Sequence, residues 1–196
     1  MFKKVKFTTL ASIIFTSLLL FPSASHAYTV KSGDSLWKIA TEHGVSLKEL
    51  QQANHYNGTT IYPGQYFKLP DTISDQDKAL MARLVHAEAK GEPYAGKVAV
   101  ATVILNRVDH ADFPNSISGV IYETYNNGVH FAFSPVKNGS INQPADKAAL
   151  KAVNEAIAFR GQGQGSIYFY NPNTAVNNWI TTRETTIKIG NHVFAK

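Results

Sequence analysis

A carboxylate on the buried face of a helix is the feature that most constrains how this chain can fold. Between residues 78 and 90, four apolar residues recur at helical spacing: Leu80, Met81, Leu84 and Val85. Glu88 falls on the same stripe, because at about 100° per residue it lies about 20° from Met81. Gly91 and Pro93 then end the helical pattern. The sequence therefore predicts a glutamate that faces the core near the C-terminal end of a helix.

Two effects raise the pKa of such a glutamate, and one lowers it. Burial disfavours the charged form, and the negative end of the helix dipole disfavours it further. A nearby cation such as Arg83 or Arg107 would lower the pKa instead. If burial and the dipole dominate, Glu88 is a protonated acid near neutral pH, the state that a general acid requires. The alternative is a partly buried glutamate paired to an arginine, and helical spacing alone leaves both open.

The first 27 residues have the pattern of a secretory signal peptide. Three lysines form a basic start: Lys3, Lys4 and Lys6. An apolar run follows from Phe7 to Phe21, and the small residues Ser25 and Ala27 stand at the usual cleavage positions. The run is short for a membrane span. We expect cleavage after Ala27 and a secreted, cell-wall-associated protein without membrane contact, the alternative being an uncleaved anchor.

Composition limits the remaining choices. Of 196 residues, 44% are hydrophobic and 17% charged, which favours a folded chain with a core. The absence of cysteine excludes disulfides, thiol nucleophiles and thiolate metal sites. The net charge of +5 falls to +2 without the leader lysines, which suits an anionic cell surface and does not indicate nucleic acid. None of the seven histidines is spaced as a helical ligand pair, so no metal or cofactor is expected. We expect a monomer.

Residues 28–70 have the pattern of a very small strand–helix–helix–strand unit. Residues 28–30 read as a strand, and Ser35 and Ser46 stand where they would cap two short helices. The turn Tyr62-Pro63-Gly64 leads into a closing strand over residues 65–69.

This unit resembles a LysM module from end to end. The resemblance is carried by the segments VKSGDSLWKIA, LKELQQAN and IYPGQYFKLP in that order. It implies binding of glycans that contain N-acetylglucosamine, such as peptidoglycan, in a groove between two loops. The residues implied in glycan binding are Gly33, Asp34, Ser35, Leu36, Asn54, Ile61 and Pro63. The alternative for Leu36, Trp37 and Ile61 is that they form the core of this small unit.

Residues 71–77 read as a linker and helix start, and residues 78–196 as a second domain of the α+β class. Ser74 with Asp77 resembles a capping box, and Pro93 and Pro144 open further helices. On the second helix, five residues are predicted to share a face: Val98, Ala101, Thr102, Leu105 and Val108. A short helix is expected at 116–124 and an irregular loop at 125–143. Strand material follows in SIYFYN, NNWITT and TTIKIGNHVFAK, with a hairpin turn at Gly190-Asn191.

Glycoside cleavage suits this domain, because it needs a protonated carboxylic acid to release the leaving oxygen. Only Glu88 among the domain's carboxylates is placed on an apolar face near a helix end. Glu92 follows Gly91 in a turn and is expected to be solvated. Glu123 and Glu184 remain open as a second carboxylate.

The second domain resembles the cell-wall hydrolase family of the spore cortex-lytic enzymes. The resemblance rests on LMARLVHAEAKGEPYAGKVAVATVILNRV, FPNSISGVIY, FSPVKNGSIN, YFYNP and IGNHVFAK, and covers nearly all of 78–196. It implies a lysozyme-like domain in which Glu88 is catalytic, and lytic transglycosylase activity on peptidoglycan in sporulation or germination. Lys90 replaces the family's usual arginine, and the LysM module replaces a different glycan-binding module found in some relatives. Muramidase-type hydrolysis and a non-catalytic binding protein remain alternatives.

Aromatic residues are candidates to line the glycan cleft, with core packing as the alternative for each. The candidates are Phe131, Phe133, Tyr168, Tyr170 and Trp179. Asn106, Ser134 and Asn171 are predicted polar contacts. Among the aromatic residues, Tyr170 and Trp179 are favoured for a functional role, because they lie next to the turn-forming Asn171-Pro172 and Asn177-Asn178.

Overall fold

The computed structural model describes residues 27–175 and 178–196, so the predicted signal peptide lies outside the described residues except for Ala27. The N-terminal module has the predicted element order: β1 (Ala27–Thr29), α1 (Leu36–His43), α2 (Leu47–Ala53) and β2 (Tyr66–Lys68). The two strands pair antiparallel, with Tyr28 opposite Phe67. The predicted caps are confirmed, because Ser35 Oγ accepts from the Lys38 N–H and Ser46 Oγ from the Glu49 N–H.

The module has a core of its own, which decides between core and glycan binding for Leu36 and excludes the core for Trp37. Leu36 is buried in that core and Ile61 packs against it, so for Leu36 the core interpretation is correct. Trp37 is 37% exposed, so the core alternative is wrong for this residue. The difference arises because α1 turns Leu36, Ile39 and Ala40 inward and the adjacent Trp37 outward.

The second domain begins with helices and ends with a sheet. Its elements are α3 (Asp75–Glu88), α4 (Tyr94–Val108), α5 (Ile117–Ile121), β3 (Thr124–Tyr125), β4 (His130–Phe131), α6 (Ser134–Asn138), a 3-10 turn (Ser140–Asn142), α7 (Lys147–Phe159), β5 (Tyr168–Tyr170), α8 (Asn178–Thr181), β6 (Thr185–Ile189) and β7 (His192–Ala195). Ser74 caps α3 by accepting from the Asp77 N–H, so the linker before this helix is only residues 71–74. The sheet order is β5-β7-β6, antiparallel throughout, which confirms the α+β prediction.

Two segments differ from the prediction. The expected irregular loop at 125–143 contains the β3–β4 hairpin, α6 and the 3-10 turn, which are too short to show a hydrophobic period. Asn126, Asn127 and Gly128 take positive φ values and make the hairpin turn possible. The described part of the expected strand NNWITT contains α8 (Asn178–Thr181) instead, in which the hydroxyls of Thr181 and Thr182 donate back to the carbonyls of Asn178 and Trp179.

Helix α4 lies at the centre of the domain and packs against α3, α7 and β5. Its buried surface is therefore wider than the predicted face. Val100, Val103 and Ile104 are fully buried, whereas the predicted Val98, Thr102 and Val108 are only half-buried. Below the helices, the central strand β7 is buried along its whole length.

The N-terminal module packs directly on the second domain through α7. Ala158 of α7 is fully buried within the core of the module, while its neighbour Ile157 belongs to the core of the second domain. Ser46 Oγ also lies 3.4 Å from the carbonyl oxygen of Arg160. One helix therefore contributes to both cores. In the part of the chain that the structure describes, no helix is long and apolar enough to cross a membrane.

Candidate active site

Glu88 is the last residue of α3, and its side chain lines a cavity of about 290 Å³. Burial raises the pKa of this carboxyl group from 4.5 to about 7, while the positive charge of Arg107 and a hydrogen bond from the Ser134 N–H oppose the rise. Burial therefore dominates, which is one of the two outcomes that helical spacing alone leaves open. Glu88 is protonated in a large fraction of molecules near neutral pH, which suits a general acid.

The alternative in which Glu88 forms an ion pair with an arginine is wrong. Among residues 27–175 and 178–196, no arginine nitrogen lies within 4.0 Å of its carboxylate oxygens. Arg83 faces another way, and its Nε donates to the carbonyl oxygen of Ile141 at 3.0 Å. Arg107 lines the cavity and acts on Glu88 through its charge.

Ser134 is the first residue of α6 and contributes its backbone N–H to the site. Phe133 precedes it with an extended backbone, is almost fully buried, and so fixes the start of the short helix against the core. The chain after the β3–β4 hairpin thus supplies the donor that holds the Glu88 carboxyl group.

The Glu88 cavity brings together four of the predicted substrate-binding residues: Phe133, Ser134, Tyr170 and Asn171. Its other lining residues are Arg107, Ala132, Phe169, Thr174, Ala175 and His192. His192 is buried and burial lowers its pKa, so its imidazole is neutral at pH 7. The sequence pattern around His192 does not distinguish it from an ordinary strand residue.

A second cavity of about 630 Å³ adjoins the first, and the two share Arg107, Ala132 and Phe169. It is mainly aromatic and contains the predicted Phe131, Tyr168 and Trp179. The Trp179 ring packs edge-on against Tyr168 at 5.2 Å and is 47% exposed. The two cavities form one groove, with a polar half around Glu88 and an aromatic half around Trp179.

Asn106 does not lie in this groove. Its side chain lines a separate apolar cavity of about 250 Å³ and donates to the carbonyl oxygen of Ser166 at 2.9 Å. The structure therefore does not bring Asn106 together with Glu88, since the amide connects α4 to the chain before β5, and its contact with glycan stays a prediction.

The other candidate carboxylates are engaged elsewhere. Glu123 accepts from the Tyr125 hydroxyl at 2.7 Å, and Glu184 pairs with Lys196 at 3.4 Å. Glu92, expected to be solvated, lies at the surface and accepts from the backbone and side chain of Asn191 in exposed hydrogen bonds. Among the described residues that line the Glu88 cavity, Glu88 is the only carboxylate, and Asp112 is the only one in the aromatic half.

In the N-terminal module, several residues predicted to bind glycan also hold its loops. Asp34 accepts from the Tyr28 hydroxyl at 2.7 Å and from the Lys31 N–H at 2.8 Å. The Asn54 side chain donates to the Lys68 carbonyl and accepts from the Lys68 N–H, which ties α2 to β2. Ser35 caps α1 and Leu36 is core. Glycan contacts by these residues, and by Gly33, Ile61 and Pro63, stay a prediction.

No cluster of three or more histidine or acidic side chains that could hold a metal ion occurs within the described ranges.

Comparisons with known proteins match both parts of the chain. A family model for cell wall hydrolases matches residues 91–195, beginning just after Glu88, and a LysM domain model matches residues 28–70. The spore cortex-lytic enzyme of Bacillus cereus is 45% identical over 128 residues, which cover 65% of this chain and 47% of that protein. The chain thus spans less than half the length of this curated relative.

Two solved structures are similar. The catalytic domain of the Bacillus cereus SleB protein is 46% identical, with a TM-score of 0.57, covering 65% of this chain and 94% of that one. The catalytic domain of the germination-specific lytic transglycosylase SleB from Bacillus anthracis is 44% identical, with a TM-score of 0.58, covering 65% of this chain and all of that one.

Proposed function

Because this chain belongs to the cell wall hydrolase family, we propose that it cleaves the glycan strands of peptidoglycan with Glu88 as general acid and base. The observation that carries the proposal is the carboxyl group at the end of α3. It lines a groove, is half-buried, and has a pKa that burial raises to about 7. A glycosidic oxygen needs such a proton donor before it can leave.

The first step breaks the bond between the anomeric carbon of N-acetylmuramic acid and the bridging oxygen. Glu88 gives its proton to that oxygen, the bonding electron pair leaves with the oxygen, and the N-acetylglucosamine side departs with a free hydroxyl group. The anomeric carbon is left electron-poor and Glu88 is left as a carboxylate. The Ser134 N–H holds the carboxyl group in place through this change of charge.

The second step closes a ring within the substrate. The C6 hydroxyl of the muramic residue attacks the anomeric carbon, and the Glu88 carboxylate takes the proton of that hydroxyl. An attached hydroxyl has the advantage over water because its effective concentration is high. The absence of a second carboxylate among the described lining residues of the Glu88 cavity supports this one-carboxylate route. Mass spectrometry of the digest should find 1,6-anhydromuramic ends. Reducing ends alone, heavier by the mass of one water, would indicate muramidase-type hydrolysis by the same residue.

The assignment of Glu88 has a matched test. Glu88→Gln keeps the shape of the side chain and removes the proton, so cleavage of purified walls should fall by a factor on the order of 10³ or more. Glu184→Gln makes the same chemical change outside the groove and should leave the rate unchanged. Lytic activity of folded Glu88→Gln at the wild-type level refutes the assignment of Glu88. Absence of cleavage by the wild-type protein would instead leave a wall-binding protein without catalysis.

The N-terminal module is proposed to hold the secreted enzyme on peptidoglycan. The match to a LysM domain over residues 28–70 supports this role, and retention on the wall raises the local concentration of cleavable strands.

The substrate is cell-wall peptidoglycan, with spore cortex favoured by the names of the relatives. Digestion of cortex and of vegetative walls side by side would distinguish the two substrates. We propose a monomer that needs no metal, cofactor or nucleic acid.

A further inference from the structure

Arg107 is a buried cation without a carboxylate partner. Its side chain is 7% exposed, and Nε donates to the carbonyl oxygen of Ile167 at 2.7 Å. Across residues 27–175 and 178–196, no acidic oxygen lies within 4.0 Å of the guanidinium nitrogens, and the buried Nη1 has no hydrogen-bond partner. Burying a charge without a partner is strongly unfavourable, so this position calls for an explanation.

Three aromatic rings hold the guanidinium group. Its central carbon lies 5.0 Å from the ring centroids of both Phe113 and Phe133 and 5.8 Å from that of Tyr168. The rings come from the loop after α4, the residue before α6, and β5, so three separate parts of the chain fix one group. Contacts with ring faces partly offset the loss of water around the cation. They also hold it at the junction of the two halves of the groove.

The charged and titratable groups around Arg107 come from several elements. Burial lowers the pKa of Arg107, and four groups oppose this lowering, in decreasing order of effect: Tyr125 of β3, Glu123 after α5, Tyr168 of β5 and Glu88 at the end of α3. Glu123 is hydrogen-bonded to the Tyr125 hydroxyl. On the other side of the cavity stand the Ser134 N–H of α6 and the neutral His192 of β7. Of the two glutamates, only Glu88 lines the cavity that Arg107 lines.

We propose that Arg107 is a positioning residue whose unpaired positive charge receives the carboxylate that Glu88 becomes after giving its proton to the glycosidic oxygen. This inference rests on the proposed function for the identity of the proton acceptor. Before the step, a neutral acid faces the cation. After the step, the proton is on the departing oxygen, and the new negative charge on Glu88 faces a cation already in place. A charge that is fixed before the reaction stabilises the product of proton transfer without any rearrangement.

The same arrangement is reversed in the second step. When the carboxylate takes the proton of the C6 hydroxyl, Glu88 becomes neutral and Arg107 is again unpaired. The cation therefore must not hold the carboxylate too tightly. Its hydrogen bond to Ile167 and the three rings keep it in place without an ion pair, which permits both directions of proton transfer.

The test uses the full chain and measures Glu88 directly. In protein labelled with ¹³C at glutamate carboxyl carbons, the signal that is missing from Glu88→Gln identifies Glu88 and gives its titration midpoint. Arg107→Gln removes the charge but keeps a donor for Ile167, and should raise the midpoint by about one pH unit or more. It should lower kcat on soluble glycan about 100-fold and move the alkaline limb of the rate profile up with the midpoint. Arg107→Lys keeps the charge and should restore the midpoint to near the wild-type value.

Arg83→Gln is the matched control. Arg83 also donates through Nε to a backbone carbonyl, that of Ile141, but it does not line the groove, so the Glu88 midpoint should not move. A midpoint that is the same in folded Arg107→Gln and in wild type overturns the inference, even if the rate falls. If Arg107→Gln does not fold, Arg107→Lys decides by its rate: kcat within about tenfold of wild type supports a role of the charge, and loss to the level of Glu88→Gln overturns it. The titration needs no substrate, so it stands apart from the wall-cleavage assay, whose failure would refute the proposed function instead.

Discussion

The backbone N–H of Ser134 donates a hydrogen bond to the carboxyl group of Glu88. The bond joins the first residue of the five-residue helix α6 to the last residue of the fourteen-residue helix α3. The short helix thus supplies a donor to the cavity that Glu88 lines, and this donor favours the charged form of the carboxyl group.

Removal of this donor should change the titration of Glu88. Ser134 is the first helical residue, where proline is tolerated, so Ser134→Pro removes the N–H with little other change. Because the hydrogen bond favours the charged form, its loss should raise the pKa of Glu88 above about 7 and lower the cleavage rate about tenfold. Ser134→Ala keeps the backbone donor and is the control. Equal titration midpoints for the two variants would exclude a role of the N–H.

The rate of cleavage should depend on pH through Glu88. The acid form is required for the first step, and its pKa of about 7 places the loss of that form in the neutral range. The kcat/KM for soluble glycan should therefore fall above about pH 7, approaching tenfold for each further pH unit. A profile that stays flat to pH 9 would mean that the Glu88 proton is not used in the first step.

The stability of the protein should respond to the same group. The pKa of Glu88 is raised on folding, so its contribution is most favourable below about pH 4.5 and is lost as pH rises towards about 7. Glu88→Gln has no carboxyl group at this position, so it does not lose stability as the pH rises through this range. Its free energy of unfolding relative to wild type should rise by roughly 3 kcal/mol between pH 4 and pH 8. Denaturant unfolding at both pH values measures the change, and Glu184→Gln, on an exposed side chain, should show no such trend.

The aromatic half of the groove should bind the glycan rather than take part in proton transfer. Trp179→Ala should raise KM for soluble glycan about tenfold, with kcat and the Glu88 midpoint nearly unchanged. Trp37→Ala makes the same change on the exposed surface of the N-terminal module. It should weaken sedimentation with insoluble walls and leave KM for soluble fragments as in wild type. A kcat that falls with constant KM in Trp179→Ala would contradict this division.

Removal of residues 28–70 is expected to weaken binding to insoluble peptidoglycan while cleavage of soluble fragments persists. The structure adds a second effect, because Ala158 is fully buried in the core of the module and would become exposed. The shortened protein should melt several degrees lower than the full chain, and Ala158→Lys in the shortened protein should reduce its aggregation. Sedimentation with walls as strong as that of the full chain would refute the tether.

Long elements were accessible from the sequence, whereas several of the short ones in the second domain were not. Helix α3 spans fourteen residues, so the apolar stripe that places Glu88 repeats over several turns. The segment that carries Ser134 is divided into pieces of two to five residues, too short for any period to appear. Helix α8 was mistaken for a strand because Thr181 and Thr182 have strand propensity but close a helical turn through their hydroxyls.

The residues of the site were likewise predictable only where a local sequence pattern revealed them. Glu88 could be found because it is a carboxylate within a helical stripe of apolar residues. Arg107 also interrupts the buried surface of α4, yet its three ring contacts join parts of the chain up to 61 residues away, which no local pattern encodes. Asn106 lies outside the groove that the adjacent Arg107 lines, because neighbours on a helix point in different directions and its amide faces Ser166.

Helix α7 belongs to two cores at once, and this restricts how an anchored enzyme can search a surface. A catalytic domain on a flexible linker can reach every glycosidic bond within the length of that linker. Here the linker is four residues long, and swinging the module away would uncover Ala158. When the module is bound to the wall, its packing against α7 keeps the cleft at one distance and one angle from the point of attachment. Progress along the wall then requires the module to release its hold before each new cut.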